Sequence, residues 1–183
     1  MTDYHSVQQQ VIDYTHKLAA EGWLKGTGGN VSIRVAGADA LAITPSNQDY
    51  FAMRAADICI YSLDGTHIQG DLKPSIEMGF HSAVYQVRPD VGCVMHTHQD
   101  FASAIALINK PIPALFDEQV RFLGRRVDVI PYAPSGTGLL AKQVKKHVQN
   151  HHNAYILKNH GALCLGSTPE RATVFRMSFP AGS

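Results

Sequence analysis

Cysteine is scarce, and what there is stands far apart: Cys59, Cys93 and Cys164 in 183 residues. An odd number, widely spaced and set in apolar runs, makes neither a disulfide framework nor a paired-cysteine metal knuckle. These side chains read as small buried hydrophobes in a reducing compartment. An excess of either charge is missing too. Lys plus Arg number 16 and Asp plus Glu 15, a net charge of +1 with no basic stripe or acidic tail, so nucleic acid is not an expected partner. No apolar run approaches the roughly 20 residues that cross a bilayer. The opening MTDYHSVQQQ lacks the basic and apolar regions of a signal peptide. A cytoplasmic location with no membrane partner is the expectation. Hydrophobic residues at 45% against 17% charged are enough to bury a core and exclude disorder. The length suits a single domain over residues 1–183. Against these shortages one residue is abundant: ten histidines.

The pattern alternates helices and short strands. Val7, Val11, Tyr14 and Leu18 mark one face of a helix over 4–21, closed by Gly22. A glycine-rich turn, Lys25 to Asn30, leads to strands at Val31–Val35, Ala40–Thr44 and Asp57–Leu63, with Asp64-Gly65 turning into Thr66–Gln69. A helix is predicted over 75–88, with Ser75 as N-cap and Pro89 after its end. The apolar run Val91–Met95 predicts a central strand, followed by a short helix from Asp100 to Ile108. Val127–Pro131, Ala154–Lys158 and Ala162–Leu165 predict further strands, and Gly138–Asn150 a helix. Thr168-Pro169-Glu170 opens a last helix. Together these make one three-layer mixed α/β domain.

Four side chains carry candidate chemistry. His96 and His98 stand two apart at the end of an apolar strand. They share a face with about 6.6 Å of rise between them, so both imidazoles can converge on one ion at about 2.0–2.1 Å. Two surface histidines at a strand end would show the same pattern. A catalytic zinc takes three protein ligands, and His160, in the corner Asn159-His160-Gly161, is the third candidate. Satisfying turn backbone groups is its plainer use. Glu77, near the start of the 75–88 helix, suits the helix dipole there; beside a metal it could act as an acid/base. His81, four residues on, shares roughly its face. The turn Gly28-Gly29-Asn30 is neither a Walker motif nor GxGxxG. With Thr27, Ser32, Thr44, Ser46 and Ser75 it could supply donors to a phosphate, although a plain tight turn also explains it. His5, His16 and His67 read as solvated, and His147, His151 and His152 as residues of a helix end.

In order, the pieces Thr27 to Ser32, Ile43 to Ser46, Lys73 to Glu77, Arg88-Pro89-Asp90, His96-Thr97-His98, Pro131-Tyr132-Ala133 and Asn159 to Ala162 resemble the class II aldolase/adducin family, over about residues 5–175. The resemblance implies a three-layer α/β/α domain with a largely antiparallel central sheet. It implies zinc, or another divalent ion, on His96, His98 and His160, and Glu77 as the catalytic acid/base. Gly29, Asn30, Thr44, Ser46 and Ser75 match the positions where sugar-phosphate members hold substrate and phosphate, and a homotetramer is expected. The implied activity is a metal-dependent lyase, cleaving a small sugar or sugar phosphate through a zinc-stabilised enediolate. Decarboxylation, dehydration and epimerisation use the same stabilised anion, and a non-catalytic adducin-like module would keep only the fold. Three departures stand out. Asn47 replaces a glycine, Ile76 replaces a phosphate-contacting serine, and Pro113 to Glu118 carries no tyrosine where the fuculose-phosphate type has a catalytic one. Asp117, Glu118 or Arg121 is the candidate replacement, although a solvated loop is the plainer reading of the acidic pair. The early stop at Phe179 to Ser183 is expected to open the site or weaken the oligomer.

Overall fold

A computed structural model describes residues 4–98 and 100–174. The first helix, α1 (His5–Ala20), buries Gln8, Val11, Ile12, Thr15 and Leu18. It stops where Gly22 turns left-handed at φ 75° and the Gly22 and Trp23 amides donate back to the Ala19 and Leu18 carbonyls, a glycine-dependent ending. Four strands then form a meander: β1 (Asn30–Arg34), β2 (Ala40–Ile43), β3 (Cys59–Ser62) and β4 (His67–Gln69). The strand expected at 57–63 is trimmed by a 3-10 turn at Ala55–Asp57. Next come α2 (Met78–Val87), β5 (Cys93–Thr97) and α3 (Asp100–Ile108). After the two-residue strand β6 (Ile112–Pro113) come α4 (Asp117–Leu123), β7 (Arg126–Ile130) and α5 (Gly138–His147). The chain closes with β8 (Ala154–Leu157), β9 (Gly161–Gly166) and α6 (Pro169–Ala172). Thr168 caps α6 through its side chain, as its sequence predicts. Phe179 to Ser183, on which the C-terminal expectation rests, lie outside the described residues.

All nine strands join one sheet in the order β4-β3-β2-β1-β5-β9-β8-β7-β6. Every pairing is antiparallel except β7 with β8. That one parallel pair needs a crossover, and α5 supplies it. Alternation along the strands feeds two cores. Val31, Ile33, Cys93, Met95, Ala162 and Cys164 face α1, α3 and α6. On the other face, Val94, Leu163 and Leu165 pack with Phe80, Val84 and Tyr85 of α2 and Leu140 and Val144 of α5. The result is the expected three-layer α/β/α arrangement with a mixed, largely antiparallel sheet. The three cysteines are buried and free, and burial pushes their thiols up.

Two local expectations fail for tertiary reasons. The helix predicted from Ser75 begins at Met78, with Glu77 at its cap position. The Ser75 amide donates to the Thr44 carbonyl, the Ser46 amide to that of Lys73, and Pro45 bridges Pro74. These bonds keep Ser75 on the bridge, a turn over Ile76 and Glu77 closes with the Met78 amide on the Ser75 carbonyl, and the Ser75 hydroxyl accepts from the Glu77 amide at 3.3 Å. The stretch after Pro113 is a helix and not a loop, with Asp117 and Glu118 in its first turn, where acidic residues suit the dipole.

Candidate metal centre

The site lies where β1, β5 and the β8–β9 turn meet the start of α2. His96 is the fourth residue of β5 and points to the α2 side with Val94. Its Nδ1 sits 2.8 Å from the Ala162 carbonyl. A carbonyl only accepts, so Nδ1 carries the proton and the Nε2 lone pair faces the site. His98 follows the strand, with Nε2 at 2.8 Å from His96 Nε2. His160 comes from the turn whose left-handed residue is Asn159, at φ 56°. Its Nε2 lies 3.1 Å from Glu77 Oε1, and His96 Nε2 is 3.3 Å from Oε2. Phe80 lies edge-on to His96 at 5.5 Å between centroids and fixes its ring.

Glycines allow this convergence. A Cβ on Gly161 would meet the Thr97 carbonyl oxygen at 2.4 Å and His98 Cδ2 at 2.9 Å. A Cβ on Gly29, which has φ 99°, would meet the His96 carbonyl oxygen at 2.6 Å. Gly161 is therefore required for close approach, as its sequence suggests, while Asn159 makes the turn.

Glu77 is 5% exposed. Ser135 Oγ donates to its Oε1 at 2.6 Å and Asn30 Nδ2 to its Oε2 at 2.8 Å. Burial alone would raise its carboxyl. The hydrogen bond from His160, the nearby His96, and the bonds from Ser135 and Asn30 outweigh burial and hold it well below the usual carboxylate range. Burial pushes His96 down to about 3, with His160 and His98 adding and Glu77 opposing. His96 is thus neutral near pH 7. His98 is lowered by burial and by His160.

The donor set fits a divalent ion. One ligand atom from each of Glu77, His96, His98 and His160 lies within 4.8 Å of the others. Their contacts of 2.8, 3.1 and 3.3 Å approach the roughly 3.4 Å between donors about 2.1 Å from one tetrahedral ion. The Ala162 carbonyl fixes the His96 tautomer with Nε2 free, as metal-ligating histidines require.

The remaining predicted residues surround this cluster. Asn30, 4% exposed, spends its amide on Glu77 and His81. Thr44 Oγ1 accepts from the Val31 amide at 3.3 Å, and Ser46 and Ser75 join the bridge that delays α2. The Gly29 carbonyl accepts from Tyr50 at 2.8 Å. Ile76 and Asn47 are exposed, and Asn47 is left-handed at φ 56°. Beside Glu77 a cleft of about 130 Å³ is lined by Ile76, Gly79, Phe80, Gly136, Leu140 and Ala141. Arg121, a candidate site residue, instead lines a separate cleft with Leu165 and Gly166. That is the end of β9 remote from Gly161, so this arginine does not reach the histidines of its own chain. Asp117 and Glu118 are exposed and outside the metal-ligand cluster. His16, expected to be solvated, is half-buried and stacks on Phe51 at 6.3 Å. Ser135 escapes sequence reading; its only signal is a Pro-Ser-Gly turn directly after β7.

Comparison with known proteins places the chain in a family. The family described as Class II Aldolase and Adducin N-terminal domain matches residues 9–178. The 5-deoxy-D-ribulose 1-phosphate aldolase of Bacillus thuringiensis serovar kurstaki is 34% identical over 156 residues, covering 85% of this chain and 72% of that protein. L-fuculose phosphate aldolase of Escherichia coli O6:H1 is 33% identical over 168 residues, 92% of this chain and 76% of the other. A solved structure of L-fuculose 1-phosphate aldolase superposes with a TM-score of 0.84 at 30% identity, covering 100% of this chain and 90% of that one. These relatives are lyases, and a cluster of three imidazoles and one carboxylate stands where the sheet and α2 meet. The chain belongs to the class II aldolase and adducin family.

Proposed function

We propose that the protein is a zinc-dependent aldolase cleaving a small ketose 1-phosphate between C3 and C4. The observation that carries this reading is the buried cluster of His96, His98, His160 and Glu77, with one carboxylate oxygen against each of two imidazoles. His96, His98 and His160 would hold the ion, whose Lewis acidity stabilises the charge developing at C3 as the bond breaks. Net, the proton of the C4 hydroxyl ends on C3 and the products are dihydroxyacetone phosphate and an aldehyde. Glu77 moves the proton at C3, and the donors Ser135 and Asn30 keep its oxygens aimed at that position. Phe80 and the walls of the adjoining cleft keep bulk water from the carboxylate. Their apolar character supports a substrate with an unhydroxylated end. Gly29, Asn30, Thr44, Ser46 and Ser75 belong to the segments that would hold substrate and phosphate.

One observation favours a second reaction on the same site. Ile76 stands 68% exposed beside Glu77, so an apolar group occupies a position suited to a phosphate donor. That supports decarboxylation, dehydration or epimerisation of a related sugar acid or sugar phosphate. As an assembly we read a homotetramer of single-domain chains in the cytoplasm. The exposed Leu107, Ile108, Leu115, Phe116 and Val120 and the three free cysteines support this reading. Incubation of zinc-loaded protein with 5-deoxyribulose 1-phosphate, L-fuculose 1-phosphate and, in parallel, 3-oxo acids decides between the reactions. Dihydroxyacetone phosphate is the expected product; loss of carbon dioxide or water from acid substrates, with neither ketose cleaved, overturns the aldolase. Loss of metal binding and all turnover would leave an adducin-like module.

A further inference from the structure

Behind Glu77 runs a buried chain of hydrogen bonds that ends on no ligand. Asn30 Nδ2 lies 2.8 Å from Glu77 Oε2, and Asn30 Oδ1 lies 2.5 Å from His81 Nε2. His81 Nδ1 lies 2.7 Å from Ser32 Oγ, and the Tyr85 hydroxyl, 2.9 Å from that oxygen, donates to the Ser32 carbonyl at 3.0 Å. His81 and Ser32 are fully buried and Asn30 nearly so. An ionised carboxylate only accepts, and this dictates every proton along the chain. Asn30 must donate through Nδ2 and accept at Oδ1, so His81 must donate from Nε2. Neutral His81 then accepts at Nδ1, and Ser32 supplies that proton. The bonds all point the same way, toward the carboxylate, and such alignment strengthens each of them. Without a donor at His81 Nε2, Asn30 Oδ1 is a buried acceptor with no partner, and the amide keeps only one of the two bonds that fix its rotation against Glu77. Phe80 stacks on the His81 ring at 4.7 Å and 19°, which holds the ring plane.

We propose that His81 is a positioning residue for Glu77: as its Nε2–H tautomer, seated on Ser32, it locks the Asn30 amide in the rotation that donates to the carboxylate. This deepens the aldolase reading and rests on Glu77 being its acid/base. Because His81 touches neither metal nor substrate, its loss acts on the chemical step alone. In the zinc-loaded enzyme with 5-deoxyribulose 1-phosphate, His81→Phe should lower kcat about 10–100-fold. KM and zinc per chain should stay unchanged. His81→Gln, whose amide nitrogen can stand near the position of Nε2, should recover most of the rate. In an Asn30→Ala background, His81→Phe should add no more than about twofold, since both act through one bond. Nitrogen-15 NMR of the unmutated protein should show His81 protonated at Nε2 and bare at Nδ1, whatever the enzyme turns over. Full kcat in His81→Phe, a Gln variant as slow as the Phe variant, or an Nδ1–H tautomer would each overturn the proposal. If the Phe variant does not fold, His81→Gln, Ser32→Ala (expected to lose rate at constant KM) and the tautomer decide it. Glu77→Gln separates the two ideas: full turnover there sinks the acid/base reading, while a dead Glu77→Gln beside an unaffected His81→Phe sinks only this one.

Discussion

At the scale of single residues, the site is a balance between burial and hydrogen bonds. Glu77 is ionised in a nearly dry position because Asn30 and Ser135 donate to it and His160 lies against it. If Glu77 is the acid/base as proposed, Glu77→Gln keeps the shape but removes the proton carrier, and the expected result is full metal content with kcat lower by about 10²–10⁴-fold, measured by metal analysis and product release. His96→Ala removes the ligand whose tautomer is fixed, so metal should be lost together with turnover. Gly161→Ala tests the close approach. Its Cβ would meet the backbone oxygen of Thr97, so a weaker hold on metal and a lower unfolding midpoint are expected; unchanged zinc titration would show that the strand end can yield. The histidine pair was legible in sequence because a spacing of two puts both rings on one face of a strand, whereas His160 joined it only through the family resemblance, its place beside the pair coming from the fold. Ser135 was not, because its role depends on where a distant strand ends. Asn30 was legible as a glycine-turn residue, while its bond to Glu77 came only from the fold.

At the scale of elements, strands and caps follow local rules, and boundaries follow tertiary bonds. The run Val91–Met95 was readable as central because it is apolar on both faces, and β5 is buried throughout. The start of α2 was not readable, since the bonds that delay it come from residues 44–46. Arg88, 1% exposed, closes the other end of this helix. Its guanidinium pairs with Asp90 at 2.7 Å and donates to the Val148 and His152 carbonyls and to Asn153. This ties α2 to the 3-10 turn Val148–Asn150 that follows α5. Arg88→Met should destabilise by more than about 2 kcal/mol, since it strands buried carbonyls; urea unfolding measures it. An equal midpoint would mean that water replaces the guanidinium.

At the scale of the whole molecule, acid should unfold the protein through its buried imidazoles. Burial, with the neighbouring His96, pushes His81 down to about 3, and His96 stands at about 3 as well. Unfolded histidines take protons near pH 6.5, so between about 6.5 and 3 the unfolded chain binds more protons than the folded one. Stability should therefore fall as pH drops through that window, by up to about 1.4 kcal/mol per pH unit for each such histidine. Above it these groups contribute no slope. Urea titrations from pH 7 to 5 with a chelator present check this, and His81→Gln should remove about one proton from the slope. The exposed apolar residues of α3 and α4 predict a particle larger than one chain, which light scattering reads directly. Finally, the partners of Glu77 lie 47, 58 and 83 positions away along the chain, at Asn30, Ser135 and His160, and β5 must dock on β9 before they meet. During synthesis a ribosome releases His96 and His98 long before His160, so a half-made chain holds only two of the three imidazoles. On the proposed reading, tight capture of an ion would come with the last strands, and a stably loaded protein would be one whose sheet has been completed.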